Sequence, residues 1–408
     1  MRIFVVNCGS SSIKYQLFGS DDGQRPSAVL AKGLVERIGT PGAELHQTVG
    51  ERSESRAVEV PDHSVAVRAI LAALTDAEAG VLADVGQIDG VGHRVVHGGE
   101  AVTGSARVDD ALLDVVRRNA ELAPLHNPAN LAGIESVMAA MPGTPNVAVF
   151  DTAFLATLPP KAHRYAVPEA WYREHHVRKY GFHGTSHRYV TMRAAELLGR
   201  PSDELNLITC HLGNGCSMTA VAGGRAVDHS MGLTPLEGLV MGTRSGDIDA
   251  AVVPFLTGRG LTVAEVDEAL NKQSGLLGVS GVSNDMRDCL TAAEAGDAAA
   301  SLAVEMFVYR VVKYVGAYYA ILPGVDAVVL TGGIGENSVP VRRRICEGLS
   351  RLGARLDDAR NAETVGGKAA PLTADGAELP VWVVPTNEEL MIALDTARLI
   401  GSDEATGT

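Results

Sequence analysis

The sequence lacks the features that mark several large classes of protein. Its formal net charge is −14 over 408 residues. A surface for nucleic acid or an anionic membrane needs clustered Lys and Arg, so this balance argues against both partners. It does not argue against nucleotides, which need only a few local donors. No apolar run is long enough to span a membrane, and the N-terminus lacks the charged start and long apolar stretch of a signal peptide.

Cysteine is also scarce. The five cysteines have no metal-binding spacing with histidine; they are Cys8, Cys210, Cys216, Cys289 and Cys346. Such scattered thiols predict a reduced, cytoplasmic protein. Glycine, by contrast, is abundant, which suits an enzyme with many tight turns. The length allows a large core and favours two domains.

The N-terminal stretch VVNCGSSSIKY places a glycine and three serines after an apolar run, as nucleotide-binding loops often do. A Walker loop does not fit, because there is one glycine and Lys14 is followed by Tyr15. Residues 3–7 predict a strand. In residues 13–18, Ile13, Tyr15 and Leu17 alternate with the second set Lys14, Gln16 and Phe18. This period of two predicts a second strand. The stretch is therefore a strand–turn–strand motif.

Residues 205–229 repeat this plan, with a strand, the turn HLGNG, a second strand and a third. A duplicated βββαβ domain explains the repeat, although two unrelated hairpins remain the alternative. Residues 301–322 have the apolar spacing of a long core helix, and Thr386 with Glu389 predicts a capped C-terminal helix. Strands alternate with helices, so the predicted class is α/β. Residues 40–60 and 360–378 lack a pattern and predict loops.

Several glycine-rich, polar segments are candidates for chemistry. Arg244 in MGTRSGD is the stronger candidate for binding an anion, because small neighbours let the backbone approach a ligand and a guanidinium binds carboxylate or phosphate. Arg94 in HRVVHGG fits either anion binding or a structural role in which it holds a loop. Asp151 ends a strand, where open α/β sheets present ligands, but it also fits a turn cap. His183 and His211, beside glycines, also fit ordinary turn residues.

Together, eight segments resemble the acetokinase family and occur in its order over residues 7–390: NCGSSSIKY, HRVVHGG, FDTAF, YGFHGTSH, HLGNG, MGTRSGDID, TGGIGENS and PTNEEL. The resemblance implies two ribonuclease-H-like domains of the actin, sugar-kinase and heat-shock ATPase superfamily, with the ligand cleft between them. The implied domains are residues 1–150 with 385–408, which include the N-terminal sheet, and residues 151–384, which include the ATP-binding turns. It also implies a homodimer.

The reaction implied by the resemblance is reversible, Mg²⁺-dependent transfer of phosphate from ATP to acetate, with Mn²⁺ as a substitute metal. The catalytic residues would be Asp151, His183 and Arg244. The acid would be bound by Arg94, His126, Val96, Leu125, Phe182 and Pro235. ATP would be bound by Ser10, Ser12, Lys14, His211, Leu212, Gly213, Asn214, Gly215, Asp285, Met286, Arg287, Gly333, Ile334, Gly335, Glu336 and Asn337. The metal would be bound by Asn7 and Glu388.

The chain departs from the family pattern at Leu155, where histidine is frequent, at Cys216, where serine or alanine is usual, and at Ala250, where proline is frequent. None of these positions is among the assigned residues. Because this chain has Leu155, any role of the histidine that is frequent at this position in the family is in doubt here. Cys216 adds a thiol near the phosphate turn, for which burial is favoured over redox sensitivity.

Three alternatives remain open on the sequence. A propionate or butyrate kinase would have the same fold, since one methylene changes binding in an apolar pocket by only about 1–3 kcal/mol. Pyrophosphate as donor is disfavoured by the adenosine turns. A non-catalytic nucleotide sensor is disfavoured because Arg94, His126, His183 and Arg244 are all present.

Overall fold

The computed structural model describes residues 1–20, 25–124 and 126–401, so Leu125 lies outside the described residues. The strands in chain order are β1 (Arg2–Cys8), β2 (Ser12–Gly19), β3 (Ala28–Glu36), β4 (Glu44–Val49), β5 (Arg52–Ala57), β6 (Gly90–Val95), β7 (Ala106–Arg107), β8 (Asn146–Phe150), β9 (Asn206–Leu212), β10 (Cys216–Ala222), β11 (Arg225–His229), β12 (Ala327–Thr331), β13 (Ala370–Pro371) and β14 (Val381–Val383).

The helices in chain order are α1 (His63–Leu74), α2 (Asp110–Arg118), α3 (Asn127–Ala140), α4 (Pro160–His163), α5 (Glu169–His175), α6 (Gly184–Leu198), α7 (Val252–Thr257), α8 (Val263–Lys272), α9 (Gly275–Ser280), α10 (Met286–Glu294), α11 (Ala298–Ile321), α12 (Gly332–Asn337), α13 (Val339–Gly348), α14 (Asp358–Glu363) and α15 (Glu388–Gly401). Within the described ranges, no helix is both long and apolar enough to cross a membrane.

The chain divides into two compact units. Unit 1 comprises Met1–Ala153 and the C-terminal segment from Asn387, and unit 2 comprises Phe154–Thr386. Asp151 lies in unit 1, three residues before the start of unit 2. Each unit has its own sheet.

The two sheets repeat one topology, as the sequence predicts. Unit 1 has the strand order β5-β4-β3-β2-β1-β6-β8-β7, and unit 2 has β11-β10-β9-β12-β14-β13. In both, three antiparallel strands are followed by two parallel ones. The first turn has three residues in each, 9–11 and 213–215. The α/β class and the duplication are confirmed.

Helices cover both faces of the unit 1 sheet, which explains why β1 is continuously apolar over residues 3–6. Phe4 and Val6 pack with α1 residues such as Ile70, while Ile3 and Val5 pack with Ile392 of α15. Phe18 of β2 is also buried on the α15 side. The predicted alternation of β2 therefore fails at its C-terminal end, because that end is buried on both faces.

Close packing of α15 on β6 depends on Gly92. A Cβ there would lie 2.4 Å from Thr396 Oγ1 and 2.6 Å from Ile392 Cγ2, so a larger residue would push the helix off the sheet. The contact anchors the start of α15, and with it Glu388, in unit 1.

Other local expectations are corrected. Residues 40–60 form β4 and β5, which extend the sheet; β5 is exposed along its whole length, so it has no apolar face to predict it. The GGIGEN segment is the short helix α12, not a turn. Residues 360–378 include part of α14 and the short strand β13.

The C-terminal helix also differs from its predicted start. Helix α15 begins at Glu388, and Asn387 Oδ1 accepts a hydrogen bond from the Leu390 amide at 2.9 Å. The Thr386 hydroxyl instead bonds to Ser186 Oγ at 2.8 Å. The long helix predicted over residues 301–322 is present as α11, with Val304, Phe307, Val311, Val315 and Tyr318 buried.

Candidate active site

The β1–β2 hairpin in unit 1 carries four of the predicted residues. Asn7 and Lys14 pair across the two strands, and the turn closes with the Gly9 amide donating to the Ser12 carbonyl at 2.8 Å. Ser10 is exposed on this turn. Lys14 forms an ion pair with Glu389, and its side chain is 56% exposed. Lys14 therefore extends from a strand, not from the start of a helix as in a Walker loop.

Arg94 and Asp151 meet at the ends of the adjacent parallel strands β6 and β8. Arg94 donates from Nε and Nη2 to Asp151 Oδ2 at 3.0 and 2.6 Å. Asp151 is 1% exposed, and Glu388 Oε2 lies 4.0 Å from Arg94 Nε. The Asp151 charge raises the pKa of Arg94. Burial raises the pKa of Glu388 to about 7; the charge of Arg94 opposes this shift, while the charges of Asp151 and Glu389 add to it.

This cluster in unit 1 has more negative than positive charge. The three carboxylates of Asp151, Glu388 and Glu389 are only partly neutralised by the two cations Arg94 and Lys14. Carboxylate and amide oxygens are donors that Mg²⁺ accepts, and the three carboxylates outnumber the two cations. The donor set therefore fits a divalent cation.

Asn130 of α3 ties the ends of β1 and β6 together. Its Oδ1 accepts from the Val96 amide at 3.1 Å, and its Nδ2 donates to the Cys8 carbonyl at 2.8 Å. Val96 is buried, and His126 is exposed immediately before α3. Sequence reasoning missed Asn130, although a polar residue on the buried side of a helix is a recognisable signal.

The β9–β10 hairpin in unit 2 lies beside His183. His183 has a left-handed backbone, with φ of 58°, directly before α6, and its ring stacks on His211 at 4.5 Å. His211 Nδ1 bonds to Ser186 Oγ at 2.8 Å. A Cβ on Gly215 would lie 3.0 Å from Arg244 Nη2 and 3.4 Å from His183 Nε2. Glycine therefore lets a cation and a histidine approach the turn closely.

Arg244 differs from Arg94 in its partners. Its Nη1 donates to the Pro235 carbonyl at 2.7 Å, and among the described residues no carboxylate forms an ion pair with it. Burial lowers the pKa of Arg244, but a guanidinium stays charged at neutral pH. A half-buried cation without a neutralising carboxylate, next to a glycine turn, is suited to bind an anion.

A cavity of about 700 Å³ opens in unit 2 next to this turn. It is lined by three predicted segments and some further residues: Gly213, Asn214, Asn284, Asp285, Met286, Arg287, Leu290, Gly333, Ile334, Asn337, Ser338 and Pro340. The volume falls in the range of cofactor pockets. Sequence reasoning brought together the three segments but missed Asn284, Leu290, Ser338 and Pro340.

Three predicted residues of these segments have local partners. Arg287 donates from Nη2 to Asp285 Oδ2 at 2.5 Å, which lowers the pKa of Asp285 to about 2. Glu336 Oε1 accepts from the Gly332 and Thr386 amides at 2.8 and 3.1 Å, so this oxygen ties α12 to the segment before α15. Glu336 and Gly335 do not line the cavity.

Packing accounts for two of the three departures from the family pattern. Leu155 is fully buried against Leu158 and Ala226, so an apolar residue fits there. Cys216 is fully buried, its Sγ donates to the Gly213 carbonyl at 3.0 Å, and burial raises the pKa of its thiol to about 12. Ala250 is exposed shortly before α7. Burial of Cys216 as a small apolar residue, the interpretation favoured above, agrees with its surroundings.

Comparison with known proteins gives one consistent result. The model of the acetokinase family matches residues 2–394. An acetate kinase of Desulfitobacterium hafniense is 52% identical over 402 residues, covering 98% of this chain and 99% of that protein. The crystal structure of Porphyromonas gingivalis acetate kinase has a TM-score of 0.93 at 45% identity, covering 98% and 99% of the two chains. A propionate kinase from Francisella tularensis has a TM-score of 0.89 at 40% identity, with the same coverage.

Proposed function

The chain belongs to the acetokinase family, kinases that transfer a phosphoryl group to a carboxylate, and we propose that its carboxylate is acetate and its donor ATP. The products are acetyl phosphate and ADP, and the transfer is reversible. The proposal is carried by the approach of Arg244 and His183 to Gly215, at a glycine turn that also lines a cavity of about 700 Å³. The cavity favours ATP over pyrophosphate, because pyrophosphate has no adenosine to fill it.

The chemistry requires no strong base. A carboxylic acid has a pKa of roughly 4, so acetate is already an ionised nucleophile at neutral pH. The barrier is the repulsion between a carboxylate and the polyphosphate, which cations reduce. Arg244, His183 and Lys14 supply positive charge, while Asp151 orients Arg94 through two hydrogen bonds. We assign Asp151 a positioning role, not proton removal.

Magnesium is the metal we propose, with Mn²⁺ as a substitute. Asn7 and Glu388 would hold it, and the excess of carboxylates over cations around Glu388 supports this assignment. When bound, the ion neutralises phosphate charge. Arg94 limits the mutual repulsion of Asp151 and Glu388 by lying within 4.0 Å of both carboxylates.

A propionate kinase is the second candidate, since one structural neighbour has that name. Val96 and Phe182 are both buried apolar residues suited to a small alkyl group, but they do not distinguish a methyl from an ethyl group. The higher-scoring of the two structural matches is an acetate kinase, and two curated relatives at 52% and 51% identity are acetate kinases as well. These matches favour acetate.

We further propose a cytoplasmic homodimer. All five cysteines are buried and free, as expected in a reducing compartment. Leu302, Met306 and Tyr309 recur along one side of α11 and are exposed, which supports a face that a second copy covers.

The test is the capture of acyl phosphate as its hydroxamate. The protein is incubated with Mg²⁺, ATP and either acetate, propionate or butyrate, and kcat/KM is compared. We expect the highest value with acetate. A higher value with propionate would assign the second candidate, and no product with any acid would refute a short-chain acyl kinase.

A further inference from the structure

Two histidines of the YGFHGTSH segment share one buried hydroxyl. Ser217 Oγ on β10 lies 2.9 Å from His183 Nδ1 and 2.7 Å from His187 Nε2. On the other side of its ring, His187 Nδ1 lies 2.7 Å from Thr209 Oγ1 on β9. Ser217, His187 and Thr209 are each 0% exposed, so their donors and acceptors have to match one another.

The hydroxyl of Thr209 determines which nitrogen of each histidine in this hydrogen-bonded chain carries a proton. Thr209 Oγ1 donates to the Thr219 carbonyl at 3.4 Å, so it accepts from His187 Nδ1. Burial lowers the pKa of His187 well below its usual range, and a neutral imidazole has a single N–H. Its Nε2 therefore accepts the Ser217 proton. With that proton used, Ser217 Oγ accepts from His183 Nδ1.

We propose that His187 and Ser217 are positioning residues that keep the proton of neutral His183 on Nδ1. His183 then donates from Nε2 only as a doubly protonated, cationic ring. Nε2 is on the ring edge that lies beside Gly215 and Arg244. In the proposed phosphoryl transfer, on which the rate consequence rests, His183 adds a full positive charge to that of Arg244.

The other titratable groups around the two rings are compatible with this arrangement. His211 of β9 stacks on His183 at 4.5 Å, and His229 of β11 meets the His187 ring edge at 5.3 Å. His229 Nε2 accepts from the Phe182 amide at 3.1 Å, so its own proton is on Nδ1, directed at Thr219 Oγ1 at 2.9 Å. Arg244 is the permanent cation beside the Nε2 edge of His183.

Thr209→Val tests this order with a substitution of similar shape, three hydrogen bonds away from His183. Without the Thr209 hydroxyl, the buried Nδ1–H of His187 has no acceptor. Moving the proton to Nε2 keeps the bond to Ser217 and removes this unsatisfied donor. Ser217 then accepts from His187 and donates to His183 Nδ1. The proton of neutral His183 should therefore move from Nδ1 to Nε2.

The measurement is ¹⁵N NMR of the histidine side chains in the full-length protein, as the pH is raised until His183 is neutral. Signals are assigned with His183→Asn. We expect a protonated Nδ1 and an unprotonated Nε2 in neutral His183 of the unsubstituted protein, and the reverse in Thr209→Val. The kcat of Thr209→Val should fall about 10-fold, because Ser217 then donates to His183 Nδ1 and disfavours the cationic ring. The KM for ATP should stay unchanged.

Thr219→Val is the matched control, because Thr219 faces Thr209 across the same strand pair but its hydroxyl bonds to His229. It should leave the His183 nitrogens unchanged. A proton on Nε2 of neutral His183 in the unsubstituted protein, or no response to Thr209→Val, would overturn the proposal. If the His183 proton moves in Thr209→Val but the unsubstituted protein forms no hydroxamate with any acid, the proposed function is refuted. The proposed positions of the histidine protons are then still supported.

Discussion

Arg94 and Asp151 are joined by two hydrogen bonds, of 3.0 and 2.6 Å, at the ends of neighbouring parallel strands. Parallel strands end at the same edge of a sheet, so residues 57 positions apart meet there. The carboxylate is 1% exposed and the guanidinium 25% exposed. The pair therefore presents a fixed cation from a buried support, which is the geometry needed to hold a carboxylate or phosphate.

For Asp151→Asn we expect kcat to fall by about 10²–10³, because the amide still accepts one hydrogen bond from Arg94 but no longer supplies the charge that orients it. The fold should survive. Asp114→Asn, which changes a half-exposed carboxylate paired with Arg117, is the control and should keep full activity. Steady-state kinetics with a thermal melt tests this, and near-normal kcat in Asp151→Asn would contradict the positioning role.

For Arg244→Ala we expect a loss of kcat of at least about 10²–10³ while the protein stays folded, because a single group that stabilises transition-state charge commonly contributes that much. Arg259→Ala removes an arginine that stacks on Phe255 and serves as control. Circular dichroism establishes folding and the hydroxamate assay gives the rate. Normal turnover by folded Arg244→Ala would refute the assignment.

Asn7→Asp should raise the KM for acetate more than the KM for ATP. The substitution adds a negative charge to a cluster that already has three carboxylates against two cations. An incoming acetate is repelled by that charge, whereas ATP enters with its metal. Asp89→Asn, at the far end of β1, is a control that changes charge in the same unit. Equal changes in both KM values would count against the explanation.

The buried histidines should make the protein less stable in mild acid. Burial lowers the pKa of His93 to about 4 and the pKa values of His187 and His229 well below the usual range. Unfolded histidine takes up a proton near pH 6.5, so below that pH the unfolded chain binds more protons than the folded one. Each such histidine therefore contributes stability above about pH 6.5 that is lost as the pH falls towards its folded pKa, by about 1.4 kcal/mol per pH unit.

Melting temperature measured from pH 7.5 to pH 5 tests this prediction. His93→Gln should flatten the dependence, whereas His46→Gln, at an exposed site on β4, should not. A melting temperature that does not change over this range would show that these histidines take up protons in the fold as readily as in the unfolded chain.

Tyr309→Glu should convert a dimer to monomers, because it places a charge on the exposed apolar side of α11, where Tyr309 is 70% exposed. Val365→Glu changes another exposed apolar residue and is the control. Sedimentation velocity measures the outcome. A monomeric unsubstituted protein, or a dimer that tolerates Tyr309→Glu, would reject this face.

Elements with one buried apolar face, or with a glycine-rich turn, were predictable from the sequence. The two hairpins, the α/β class and helix α11 follow from apolar spacing and glycine positions, and the structure confirms them. Strand β5 was not predictable, because all its residues are exposed and no apolar period marks it. The alternation of β2 fails at Phe18 because α15, almost 400 residues along the chain, covers the second face of the sheet.

The same division holds for the candidate site. The sequence alone determined which segments carry glycine turns and cations, since residue type and local spacing are sufficient for that. Only the tertiary structure decided the partners: Asp151 for Arg94, the Pro235 carbonyl for Arg244, and Ser217 with His187 for His183. Those hydrogen bonds join residues 9 to 57 positions apart, and their existence depends on strand order and helix packing, which no local pattern encodes.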